Sequence, residues 1–92
     1  MTVTHDPGSA VDALLREHAP LLPPEVRAPL RRAAGLTQLQ VATAVGVRKL
    51  QVLRWEQGEA EPRPGEKRAA YSRLLQGLAR QHPDILASTA VP

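Results

Sequence analysis

Cysteine, asparagine and phenylalanine are absent from this 92-residue chain, and tryptophan, tyrosine and isoleucine occur once each. Without cysteine there is no disulfide and no thiolate metal site. That composition suits a reducing compartment. No apolar run approaches the roughly 20 residues that a membrane span needs. Residues 1–6 lack a basic segment followed by an apolar stretch, so no signal peptide is read and a cytoplasmic location is expected. His5, His18 and His82 are too scattered for a metal site and read as surface or tail residues. There is no Gly-rich phosphate loop, no nucleophile with a base nearby and no carboxylate pair embedded in apolar sequence. No enzymatic activity, cofactor, metal, membrane partner or small-molecule ligand is expected.

What is present is arginine, alanine and proline, with charge unevenly spread. The net charge is +3. Residues 24–81 hold 11 basic and 5 acidic side chains, a net +6, whereas the flanks hold one arginine against four acids, a net −3. A basic middle between acidic flanks points to a polyanion met by the middle, although such charges also simply solvate a surface. The residue preferences follow GC-rich codons and suggest a bacterial, phage or plasmid origin. A chain this short forms one domain with one modest core, burying about 60–65% of its unfolded surface.

The pattern along the chain is helical throughout. Residues 1–8 show no period and read as a loose tail. Ser9 offers a helix cap, and Val11, Leu14, Leu15 and His18 recur at helical spacing over about 10–18. Pro20, Pro23 and Pro24 form a stiff connector. Pro24 is a fair first helical residue. Val26, Leu30, Ala33 and Ala34 give the next apolar face, which Pro29 interrupts. Either that helix kinks, or 25–28 is a separate turn. Gly35 ends it. Thr37 with Gln40 is a capping-box pair, opening a short helix to Val45 that Gly46 closes. Val52 and Trp55 face inward on the following helix, which ends at Gly58. After a Pro- and Gly-rich loop, Tyr71, Leu74, Leu75 and Leu78 mark a clean amphipathic helix over 66–81. Pro83 stops it, and the remainder reads as a tail.

Two short helices joined through a glycine form a helix-turn-helix unit, whose second helix enters the major groove. The stretch Leu30-Arg31, Gly35-Leu36-Thr37-Gln38, Val41-Ala42, Val45-Gly46-Val47, Val52 and Arg54-Trp55-Glu56-x-Gly58 resembles the Xre family of phage-repressor and Cro-like DNA-binding proteins. The resemblance covers about 35 contiguous residues, and Pro62 suits the loop that follows. It implies an all-α fold of the lambda-repressor-like type, with about five short helices around the central motif. Residues 1–23 are expected to be a tail, short helix and connector, 24–81 the DNA-binding domain, and 82–92 a C-terminal tail.

The same resemblance assigns roles. Leu30, Leu36, Val41, Ala42, Val45, Val47, Val52 and Trp55 form the core. Arg31 and Glu56 correspond to an internal ion pair. Gln38 corresponds to a phosphate contact beside the Thr37 cap. Arg48, Lys49, Leu50 and Arg54 fall on the reading face: arginine suits a bidentate contact with guanine, and leucine suits a thymine methyl. Simple phosphate attraction is the alternative for Arg48 and Lys49. The chain departs from the family pattern in three ways. Arg48 replaces a capping Ser or Thr, Leu39 and Leu53 occupy usually polar positions, and one helix at 66–81 stands where two usually follow. Leu39 and Leu53 are expected to receive the N-terminal helix or a partner chain.

The expected function is sequence-specific double-stranded DNA binding as a small transcriptional regulator. The alternative is an antitoxin-like module that also holds a second protein. Helix-turn-helix proteins of this type pair on half-sites about 10 bp apart. A homodimer would use either the spare apolar face of 66–81, Leu78 above all, or Leu14 and Leu15.

Overall fold

The computed structural model describes residues 6–90 and contains only helices there, with no strand. In chain order they are α1 (Pro7–Glu17), α2 (Pro24–Ala33), α3 (Gln38–Val45), α4 (Lys49–Gln57), α5 (Glu66–Gln81) and α6 (Pro83–Ala90). Val26 and Leu30 of α2, Val41, Ala42 and Val45 of α3, Val52 and Trp55 of α4, and Tyr71, Leu75, Leu78 and Ala79 of α5 make one core. Burying this apolar surface is the main term that holds so small a domain together.

Three differences from the sequence reading have physical causes. First, α1 begins at Pro7 rather than after Ser9. The Asp6 carboxylate accepts from the Gly8 N–H at 3.1 Å and from the Ser9 hydroxyl at 2.7 Å. Those two donors hold the Asp6 carboxyl below its ordinary range, the Ser9 hydroxyl contributing most. Pro7-Gly8 looks like a tail, yet proline is well suited to the first helical position. Residues 1–5, His5 among them, lie outside the described residues.

Second, α2 runs from Pro24 through Pro29 to Ala33 as one helix, so 25–28 is not a separate turn. Pro29 has no N–H to give to the Glu25 carbonyl. Packing of Val26 and Leu30 on either side, both buried, outweighs that missing bond.

Third, the segment expected as a C-terminal tail over 82–92 is helical as α6, with Ile85 and Leu86 packed against the core. A later pair of helices is therefore present, not a single one. Pro83 ends α5 and also opens α6, and one apolar dyad is too short to display a period. Residues 91–92 are outside the described residues.

The connector between α1 and α2 is tied down through its carbonyls. Arg68 Nε donates to Ala19 O at 2.8 Å, Ser72 Oγ to Pro20 O at 2.7 Å and Arg27 Nε to Leu22 O at 2.8 Å. Leu21 and Leu22 pack on the core between these anchors.

Tyr71 is buried against Trp55, ring centroids 4.8 Å apart, and its hydroxyl has no hydrogen-bond partner among the described residues. Burial, then the nearby Glu56 charge, pushes its pKa up to about 12 from 10.0. The folded state thus favours the neutral phenol. Its contribution is intact below pH 10 and is lost as the pH rises from 10 towards 12, where the unfolded phenol ionises first. Tyr71→Phe removes a buried unpaired hydroxyl and should stabilise the fold by about 1 kcal/mol, with a flatter alkaline limb above pH 10. Urea midpoints at neutral and alkaline pH measure both effects, and a destabilised variant would show that the hydroxyl contributes to the fold.

Candidate nucleic-acid interface

The motif is built on α3 and α4. Thr37 caps α3: its hydroxyl accepts the Gln40 N–H at 3.0 Å, and Gln40 Oε1 accepts the Thr37 N–H at 2.8 Å. Gly46 closes α3 at φ +88°, in the left-handed region where a side chain is strained. Both Gly46 and Val47 return their N–H groups to the Ala42 carbonyl, at 2.8 and 2.9 Å, which turns the chain sharply into α4. Arg48 occupies the N-cap of α4, where its carbonyl accepts the Gln51 N–H at 3.0 Å but its side chain makes no capping bond. That leaves the Arg48 side chain uncommitted to its own helix.

Val52 and Trp55 fix α4 by its inner face. Helical geometry then places Leu50 and Arg54, at i and i+4, on the outer face. Both are exposed, Leu50 at 52%. Arg48, Leu50 and Arg54 line one shallow groove together with Gln51 and Lys67. Lys67 reaches across from the first turn of α5, its ammonium 2.8 Å from the Gly46 carbonyl. Lys49 does not line that groove. It shares the flank of Leu53 and Glu56, on the side of α4 that meets Gln38. So the six sequence-predicted residues divide in two. Arg48, Leu50 and Arg54 gather at the turn and outer face of α4, whereas Thr37, Gln38 and Lys49 lie towards the start of α3.

Behind this surface stand two ion pairs. Arg31 of α2 grips Glu56 at the end of α4, through Nε to Oε2 and through Nη2 to Oε1 at 3.1 Å, and gives Nη1 to the Leu36 carbonyl at 2.9 Å. Gln38 Nε2 joins the same carboxylate at 2.9 Å. An amide nitrogen has two protons, so Gln38 keeps one donor for an outside acceptor. The second pair was not anticipated. Arg27, 2% exposed, donates to Trp55 O at 2.9 Å and to Glu61 Oε1 and Oε2 at 3.0 and 3.2 Å. One arginine thus ties α2 to the end of α4 and to the loop beyond. The available signal was Arg27 four residues before Arg31 on one helix face. Lys67 and Gln51 were also missed. Nothing local marks Lys67, because its contact is with a turn 21 residues earlier.

Leu39 stays 60% exposed, and α1 does not cover it. The first helix packs on α5, with the Gly65 N–H donating to Glu17 O at 2.9 Å. The expectation that α1 sits on Leu39 and Leu53 is therefore incorrect. Leu78 is buried in the core and is not a free dimer surface either.

Between α4, the loop over 60–65 and the first turn of α5 lies a cleft of about 690 Å³, to which Arg54, Arg63 and Lys67 contribute cations. Among the described residues, no cluster of His, Asp and Glu is arranged to hold a metal, and no helix is long and apolar enough to cross a membrane.

No curated protein and no solved structure matches this chain. Residues 30–66, less than half of the chain, match a family model described as helix-turn-helix, of the Cro/C1 type. That segment runs from Leu30, just before the Arg31 anchor, through α3, the Gly46 turn and α4 to the first residue of α5. The match supports placing it in the Xre-like helix-turn-helix family, with DNA binding through that motif.

Proposed function

We propose that this protein is a transcriptional regulator that reads double-stranded DNA with α4 in the major groove. The observation that carries the reading is the exposed outer face of α4, where Arg48, Leu50 and Arg54 stand free over a helix locked from behind by Val52, Trp55 and the Arg31–Glu56 pair. Arg54 and Arg48 offer forked donors to guanine O6 and N7, and Leu50 offers a methyl contact to thymine. Gln38, with its spare side-chain N–H, and the backbone N–H groups of Gln38 and Leu39, which the Thr37 capping box leaves over, suit a phosphate on one side. Lys49 adds a cation there. Arg63 and Lys67 suit phosphates on the other side. Such an arrangement works in the cytoplasm or nucleoid, where the DNA is. Activation or repression then depends on where the site lies relative to a promoter.

Affinity for duplex DNA should fall steeply with salt, because the phosphate contacts release counterions. Gln38→Ala should weaken binding to every sequence by a similar factor, leaving base preference unchanged. Binding titrations against several duplexes at two salt concentrations test this. A Gln38→Ala variant that loses one sequence selectively would move Gln38 from the phosphate contacts to the reading set.

The antitoxin-like alternative keeps one specific observation in its favour, the exposed apolar face of α1.

A further inference from the structure

The first helix carries its large apolar side chains away from the core. Val11, Leu14 and Leu15 fall at i, i+3 and i+4, so they share one face, and they are 52%, 57% and 67% exposed. Ala10, Ala13 and Glu17 are the half-buried residues of α1, on a neighbouring face turned towards the domain. The helix is held in place there by the Gly65–Glu17 backbone bond and by Arg16 Nε donating to Glu66 at 3.0 Å. Those leucines are thus presented by a formed helix.

Beside α1, along α5, runs a groove of about 650 Å³. Ala70, Leu74 and Gly77 contribute to its floor, Arg16 and Glu66 line it as a mutually compensating pair, and Arg73 and Arg80 add uncompensated positive charge. Gly77 is in mid-helix, where glycine is destabilising relative to alanine. Within the chain, a side chain added there would meet only Arg80 Nη2, at 3.9 Å. No packing inside the protomer calls for the missing side chain, whereas a helix laid in the groove would.

We infer that a second copy of this chain fills the groove, α1 of each protomer lying on α5 of the other about a twofold axis. Charge selects this occupant. The segment 6–17 holds Asp6, Asp12 and Glu17 against Arg16, and it meets a groove that Arg73 and Arg80 make basic. Size requires the groove as well. The 11 residues of α1 span about 16 Å, and two such helices alone fall short of the roughly 1,200–2,000 Å² that a stable interface buries. With α5 included the contact grows, but it remains modest, so the dimer is weak in free solution. The inference goes beyond DNA reading, since it names the surface that pairs two copies and is measured without DNA.

Sedimentation equilibrium of the whole chain over a range of concentrations tests it. The wild type should show a monomer–dimer equilibrium. Leu15→Glu and Gly77→Leu should each raise the dissociation constant about tenfold or more. Arg73→Glu with Arg80→Glu should weaken pairing, and adding Asp12→Arg should restore part of it. Circular dichroism and affinity for a duplex with a single half-site should stay unchanged in Leu15→Glu and Gly77→Leu, which separates lost pairing from lost folding or lost DNA binding. A wild type monomeric at every concentration overturns the inference, including when a different protein proves to cover α1. So does an equilibrium that neither single variant shifts.

Discussion

Glu56→Ala should cost the fold about 3–5 kcal/mol, a large share of the roughly 5–15 kcal/mol that holds a domain of this kind folded. The carboxylate is 5% exposed and receives three donors, two from Arg31 and one from Gln38. Removing it strands a guanidinium that is itself only 13% exposed, with one carbonyl left to satisfy it. The desolvation of that charge, more than the lost attraction, sets the size of the effect. Arg31→Met alone strands the Glu56 carboxylate in the same way, but combined with Glu56→Ala it leaves no unpaired charge, so the double variant should be less unstable than the sum of the singles. A double-mutant cycle from urea unfolding measures this coupling. Additive losses would mean that the two side chains do not act together in solution. Since Glu56 closes α4 and Arg31 anchors it to α2, the same variant should blunt DNA binding through the fold rather than through a contact.

Arg54→Ala should act the other way, leaving stability nearly unchanged and altering what the protein reads. Its side chain is exposed and makes no hydrogen bond among the described residues. Loss of a bidentate guanine contact should reduce discrimination at one base pair by about 1–3 kcal/mol, roughly fivefold to 150-fold in relative affinity. Competition binding against duplexes altered one pair at a time gives the value. Preference unchanged at every position would take Arg54 off the reading face.

The central motif was legible because its signals are local. Thr37 and Gln40 sit three apart as capping requires, Gly46 marks a left-handed turn, and Val52 with Trp55 gives the inner face of α4. The Arg31–Glu56 pair came from the family resemblance rather than from any physical pattern in the sequence. Long-range partners were not legible. Arg27 looks like one more surface cation until Trp55 O and Glu61 close around it. The N-terminal helix was seen, but its apolar face implied burial, and only the three-dimensional arrangement reveals that Ala10 and Ala13 turn inward instead. For α6 the difficulty was a proline that ends one helix and starts another.

If α4 reads base edges in the major groove, the guanines and thymines beneath it carry the specificity. Selection of duplexes from a random pool, followed by methylation interference on the enriched site, tests this most directly. One enriched motif should emerge, in which methylation of guanine N7, in the major groove, blocks binding. Arg54→Ala should become insensitive to methylation at one of those guanines and keep its sensitivity at the rest. A pool that yields no motif, or a motif whose preference survives alanine at Arg48, Leu50 and Arg54 together, would contradict it.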